Sequence, residues 1–96
     1  MVIFATTKSA YSEMESLILS GNHPVWLTCN VLSDQEYEEL WNKKGIDVSV
    51  LSYEVDTGNK ADMDCAMSTI KEHHAGQNIW VQILNENYQV ADKRAL

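Results

Sequence analysis

Polar side chains that can bind a small ligand follow two of the apolar runs in the sequence. The first group comes directly after Val2–Ala5, and the second follows the apolar residues that end at Val55. If both runs are strands of one parallel sheet, their carboxyl ends meet at one edge, where open α/β sheets bind ligands. Together these side chains predict a polar rim for a small molecule. The candidate rim consists of Thr6, Thr7, Lys8, Ser9, Asp56 and Asn59.

The sequence lacks the signatures of phosphate and metal sites. The stretch from Thr6 to Ser9 has no glycine to let the backbone wrap around a phosphate, and no G-x-G-x-x-G or G-K-[ST] pattern occurs elsewhere. His73 and His74 are adjacent on a predicted helix, where their side chains diverge by about 100° and cannot both bind one ion. The rim residues also have a structural interpretation as helix caps. We therefore predict no metal, no cofactor and no catalytic residues.

A second candidate set consists of carboxylates near the starts of two predicted helices. Acidic residues in a first turn complement the helix dipole and stabilise the helix by about 0.3–1 kcal/mol each. Glu38 and Glu39 lie further along their helix, where this effect does not account for them. A cluster of this kind favours the docking of a basic protein partner. The candidate partner-binding residues are Asp34, Glu36, Glu38, Glu39, Asp62 and Asp64.

The overall composition limits the classes of partner. The chain has 96 residues with fourteen Asp and Glu against seven Lys and Arg, a formal net charge of −7. This charge repels phosphate, so nucleic acid and anionic membranes are disfavoured as direct partners. No run of about 18 apolar residues is present and the first ten residues do not resemble a secretory signal, so a cytoplasmic location is expected. Cys29 and Cys65 are expected to be free, buried thiols.

The elements that must position these residues are clearest between Val25 and Val55. Alternating apolar residues over Val25–Val31 predict a strand. Ser33 and Glu36 then form a capping box, and Gly45 is placed to end the helix that follows. Ile46–Val55 predicts a second strand with apolar residues on both faces, as a parallel sheet requires. The helix between these strands has an apolar stripe of Tyr37, Leu40 and Trp41.

The same strand-then-helix scheme recurs on either side of this unit. The chain therefore predicts the order β-α-β-α-β-α-β in a single small three-layer α/β domain over residues 1–84. Right-handed crossovers favour a four-stranded, mainly parallel sheet with helices on its faces, in the order 2-1-3-4 or 3-2-1-4. Residues 85–96 are expected to form a tail that is an edge strand, a frayed helix or disordered. The apolar faces of the outer helices are Tyr11, Met14, Leu17 and Ile18 in one, and Met63, Ala66, Met67 and Ile70 in the other.

Three classes of function fit these patterns. The favoured class is a non-catalytic module whose acidic surface binds and inhibits or regulates a basic protein, as immunity proteins and phage-encoded inhibitors do. The second is a small-molecule-binding or enzymatic domain that uses the polar rim. The third is a structural subunit of a homo-oligomer, such as a homodimer formed through an edge strand with Trp26 or Trp80 as its anchor.

Overall fold

Four short parallel strands form the centre of the computed structural model, which describes residues 1–83. Their order is β3-β2-β1-β4, the second of the two predicted orders, and every pairing is parallel. This confirms the predicted α/β fold. The predicted tail, residues 85–96, lies outside the described residues. The strands are β1 (Val2–Ala5), β2 (Val25–Leu27), β3 (Val48–Val50) and β4 (Ile79–Gln82).

Helices cover both faces of the sheet. The helices are α1 (Lys8–Leu19), α2 (Asp34–Glu38), which continues into a π-helical turn (Glu39–Lys43), and α3 (Lys60–His73). From β1 to β2 and from β2 to β3, the chain moves toward one edge of the sheet. After β3 it crosses back to the other side of β1, where β4 lies. Because crossovers between parallel strands are right-handed, the first two helices pack on one face and α3 packs on the other.

Strand β1 separates the core into two clusters, one on each face of the sheet. All four of its residues are fully buried. Ile3 and Ala5 pack with residues of α1 and with Leu40 of the π turn. Val2 and Phe4 pack on the opposite face with residues of α3. A strand that is apolar on both sides, as β1 is, belongs at the centre of a parallel sheet. The three layers expected from the sequence are therefore present.

Two of the predicted strands are shorter than their apolar patterns. β2 ends at Leu27, not Val31, and β3 ends at Val50, not Val55. Val31 is nevertheless buried and Val55 packs against the core, because a residue of a connecting loop can fill the core without forming a sheet hydrogen bond. As a result, Cys29 lies beyond β2, in the connection to α2, and is only half-buried.

The two strand tryptophans have opposite environments. Trp26 on the inner strand β2 is buried, and its indole Nε1–H donates to His74 Nε2 at 3.0 Å. Trp80 lies on the edge strand β4 and is 51% exposed. Two residues expected on buried helix stripes are also exposed, Leu17 and Trp41. Over residues 1–83, no helix is long and apolar enough to span a membrane.

Candidate functional site

The three α-helices of residues 1–83 begin at the carboxyl edge of the sheet, and each is capped by a side chain from the preceding loop. The caps are Thr7 for α1, Ser33 for α2 and Asn59 for α3, and each accepts a hydrogen bond from a backbone N–H three residues later. The capping box predicted at Ser33 and Glu36 is present, with both of its hydrogen bonds formed. Thr7 and Asn59 of the candidate rim therefore act as helix caps, as the structural interpretation expected.

A cavity of about 330 Å³ opens at this edge of the sheet. Thr6, Thr7 and Lys8 of the candidate rim line it, whereas Ser9, Asp56 and Asn59 do not. The carboxylate of Asp56 instead accepts a hydrogen bond from the backbone N–H of Gly58 in the same loop, at 2.9 Å. The rest of the lining comes from the loops after β2 and β3, which the strand pattern had placed inside longer strands. These additional lining residues are Thr28, Cys29, Asn30, Val31, Glu54 and Val55.

Two buried threonines hold the floor of the cavity in place. Thr28 Oγ1 donates to the carbonyl oxygen of Thr6 at 2.9 Å, and Thr6 Oγ1 donates to the carbonyl oxygen of Gln82 at 3.0 Å. These bonds link the carboxyl ends of three neighbouring strands, β2, β1 and β4. Because both hydroxyl protons are bonded to main-chain carbonyl groups, the oxygens can only accept hydrogen bonds from a molecule in the cavity.

The predicted acidic set is divided between the two faces of the sheet. Asp62 and Asp64 belong to α3, where Asp62 accepts the backbone N–H of Asp56 and Asp64 pairs with Lys60 at 2.7 Å. The other four lie on α2 and the π turn that follows it. Glu36 pairs with Lys8 at 3.1 Å. The remaining carboxylates have no ion-pair partner among residues 1–83, and all are exposed: Asp34, Glu38 and Glu39.

The π turn exposes a large aromatic side chain beside these carboxylates. The backbone N–H of Lys44 donates to the carbonyl of Glu39, five residues earlier, so the turn contains one residue more than an α-helical turn. Leu40 remains buried, but Trp41 turns away from the core and is 49% exposed. Trp41 follows Glu38 by three residues, which is the spacing of neighbours on a helix surface. We refer to Asp34, Glu38, Glu39 and Trp41 together as the α2 surface.

Hydrogen bonds lower the pKa of the Glu36 carboxyl group below its ordinary value. The largest cause is the backbone N–H of Ser33, followed by the side chain of Lys8. A lowered pKa means that folding favours the charged carboxylate, so this contribution to stability is fully present above the ordinary pKa of glutamate. It is lost as the pH falls through the lowered pKa.

We expect this contribution to be visible as pH-dependent stability. The difference in free energy of unfolding between the wild type and a Glu36→Gln variant should shrink on acidification, as measured by urea unfolding over a pH series. In an NMR titration, a Lys8→Met variant should have a Glu36 pKa nearer to the ordinary value but still below it, because the Ser33 N–H bond remains. A wild-type Glu36 pKa at or above the ordinary value would contradict the capping-box geometry.

Across residues 1–83, no group of three or more His, Cys, Asp or Glu side chains is arranged to hold a metal ion. Comparison with known proteins finds no matching family model, curated protein or solved structure. Functional arguments therefore depend on two features of the chain itself, the cavity at the carboxyl edge and the α2 surface.

Proposed function

We propose that this protein is a non-catalytic interaction module that binds a basic protein through the α2 surface and thereby inhibits or regulates it. The observation that carries the proposal is the exposure of Trp41 next to carboxylates that have no cationic partner in the described part of the chain. An aromatic anchor surrounded by a polar, solvent-accessible rim is the usual composition of a protein-binding hot spot.

The carboxylates favour a partner of opposite charge. Glu38 and Glu39 are exposed, and the net charge of −7 extends the negative field beyond them. A field of this sign accelerates the approach of a basic surface and slows that of an acidic one. Because exposed charges are screened by salt, the association rate should fall as ionic strength rises.

Trp41 supplies the contact area that charge alone does not provide. A tryptophan side chain buries a large apolar area in a partner pocket, and its indole N–H can donate a hydrogen bond there. This side chain lies in the π turn and is exposed, and π turns in helices are frequently found at functional sites. The partner surface that fits is a basic patch with an apolar pocket.

The experiment compares two variants that lose the same amount of charge. Glu38→Gln/Glu39→Gln changes the α2 surface, whereas Glu13→Gln/Glu72→Gln changes exposed residues of α1 and α3. Tagged wild type and both variants are used to capture a partner from lysate of the source cells, and the captured protein is purified for kinetic measurements over a salt series. We expect the first variant to associate roughly tenfold or more slowly than wild type at low salt, and the control to associate nearly as fast. A partner of acidic character, or equal slowing by both variants, would refute the proposal.

A further inference from the structure

The cavity at the carboxyl edge of the sheet has a chemical character distinct from that of the α2 surface. We propose that it binds a small molecule that carries a primary ammonium group. This inference does not depend on the partner-binding proposal, since Glu38, Glu39 and Trp41 do not line the cavity.

The two buried hydroxyl groups that line the cavity offer a ligand acceptors and not donors. Thr6 and Thr28, both more than nine-tenths buried, line it, and each gives its hydroxyl proton to a main-chain carbonyl oxygen. Each hydroxyl oxygen can therefore act toward a ligand only as a hydrogen-bond acceptor, through a lone pair. A ligand group with several N–H donors satisfies two such oxygens, whereas a carboxylate would face them with no proton to share.

The charges at the wall favour a cation. Glu54 lines the cavity and has no ion-pair partner among residues 1–83. Lys8 also lines it, but its ammonium group lies 3.1 Å from Glu36, so that positive charge is compensated. The uncompensated charge at the wall is thus the carboxylate of Glu54. A primary ammonium group has three N–H donors and one positive charge, which matches one carboxylate and two hydroxyl oxygens.

The remaining wall and the size of the cavity limit the rest of the ligand. Val31 and Val55 contribute apolar side chains, against which a short alkyl chain can pack. The volume of about 330 Å³ is at the lower end of the range of small-molecule sites, about 300–1,000 Å³. The position, outside the carboxyl ends of parallel strands, is where open α/β sheets bind ligands. Small aliphatic amines and α-amino acids share the required ammonium group.

The test is an NMR titration of the full chain with matched probes. n-Butylamine supplies the ammonium group on an alkyl chain, and L-norvaline adds an α-carboxylate to the same carbon chain. n-Butyltrimethylammonium keeps the charge but has no N–H donor, and n-butanol has no charge. We expect saturable shifts of the backbone amides of Thr6, Thr28 and Asn30 with n-butylamine or L-norvaline, and much weaker binding of the other two probes. The tighter binder of the first pair tells whether the ligand is a simple amine or an amino acid.

Two variants identify the group that recognises the cation. Glu54→Gln should weaken binding of the better probe by roughly tenfold or more, because a hydrogen bond to a charged group is replaced by one to a neutral amide. Glu72→Gln, an equal change of charge at an exposed residue of α3, should leave binding unchanged. The proposal is overturned if neither amine produces saturable shifts, if n-butyltrimethylammonium binds as tightly as n-butylamine, or if both variants behave alike.

Discussion

Replacement of Phe4 by alanine is expected to lower the free energy of unfolding by about 3–5 kcal/mol. Phe4 is fully buried and is among the largest fully buried side chains of the described structure. It lies on β1 between Trp26 of β2 and Val81 of β4 in the register of the sheet, and it belongs to the cluster that α3 completes through Ala66 and Ile70. Removal of the ring leaves a cavity between the sheet and α3 that neighbouring side chains refill only in part.

The measurement is urea unfolding, followed by tryptophan fluorescence and circular dichroism. A small domain has a total stability of about 5–15 kcal/mol, so the alanine variant can be largely unfolded without denaturant. Phe4→Leu therefore accompanies it, with an expected loss of less than about 1.5 kcal/mol because most of the volume is kept. Leu19→Ala, at a position 40% exposed on α1, is the control for the removal of a large apolar side chain. If Phe4→Ala costs no more than Leu19→Ala, α3 does not pack on the sheet as described.

The features that could be predicted from the sequence are those that depend on neighbouring residues. A capping box needs only Ser33 and Glu36 at the correct spacing, and its two hydrogen bonds form as expected. Gly45 takes the left-handed conformation with φ +66° that ends the second helical segment. Val2–Ala5 is a continuous apolar run, and it forms a central strand whose two faces are both buried. In these cases the chemistry of a few adjacent residues determines the structure.

The errors concern features that depend on distant parts of the chain. An alternating pattern reports which side chains are buried, but it does not report where a strand stops pairing with its neighbour. For this reason Val31 and Val55 pack as predicted, yet both lie beyond the strands to which the pattern assigned them. The loops that replace the missing strand residues contribute Thr28, Asn30 and Glu54 to the cavity. Of the candidate rim, Thr6, Thr7 and Lys8 line this cavity, whereas Ser9, Asp56 and Asn59 do not, and ligand binding at the rim stays a prediction.

The exposure of Trp41 has a similar cause. A helical stripe with a period of 3.6 residues places Trp41 beside Leu40 and Tyr37, but Trp41 lies within a π turn, whose wider turn departs from that period. No local signal in the sequence marks a π turn, although Leu40 within it and Ile46 after it are buried in the same core cluster. The sequence pattern therefore placed Trp41 on the buried stripe, whereas the structure exposes it; the role of the neighbouring carboxylates in binding stays a prediction.

Replacement of Trp41 by alanine is expected to weaken binding of the captured basic partner by about thirtyfold, which corresponds to about 2 kcal/mol. The loss should appear mainly as faster dissociation, because truncation of an anchor removes contacts of the bound state without changing long-range attraction. Neutralisation of Glu38 and Glu39 should instead slow association and reduce the salt dependence. Surface plasmon resonance over a salt series distinguishes these two effects.

Trp80→Ala is the matched control for this measurement. Trp80 is 51% exposed, compared with 49% for Trp41, and it lies on β4, at the opposite edge of the sheet from β3. Both variants remove an exposed indole, so a general loss of apolar surface would affect them equally. If Trp80→Ala weakens binding and Trp41→Ala does not, the partner docks on the β4 edge and the α2 surface is not the binding site. If Trp41→Ala alone weakens binding, Trp41 anchors the partner, and slower, less salt-dependent association of the Glu38/Glu39 variant then assigns the rate of arrival to the carboxylates.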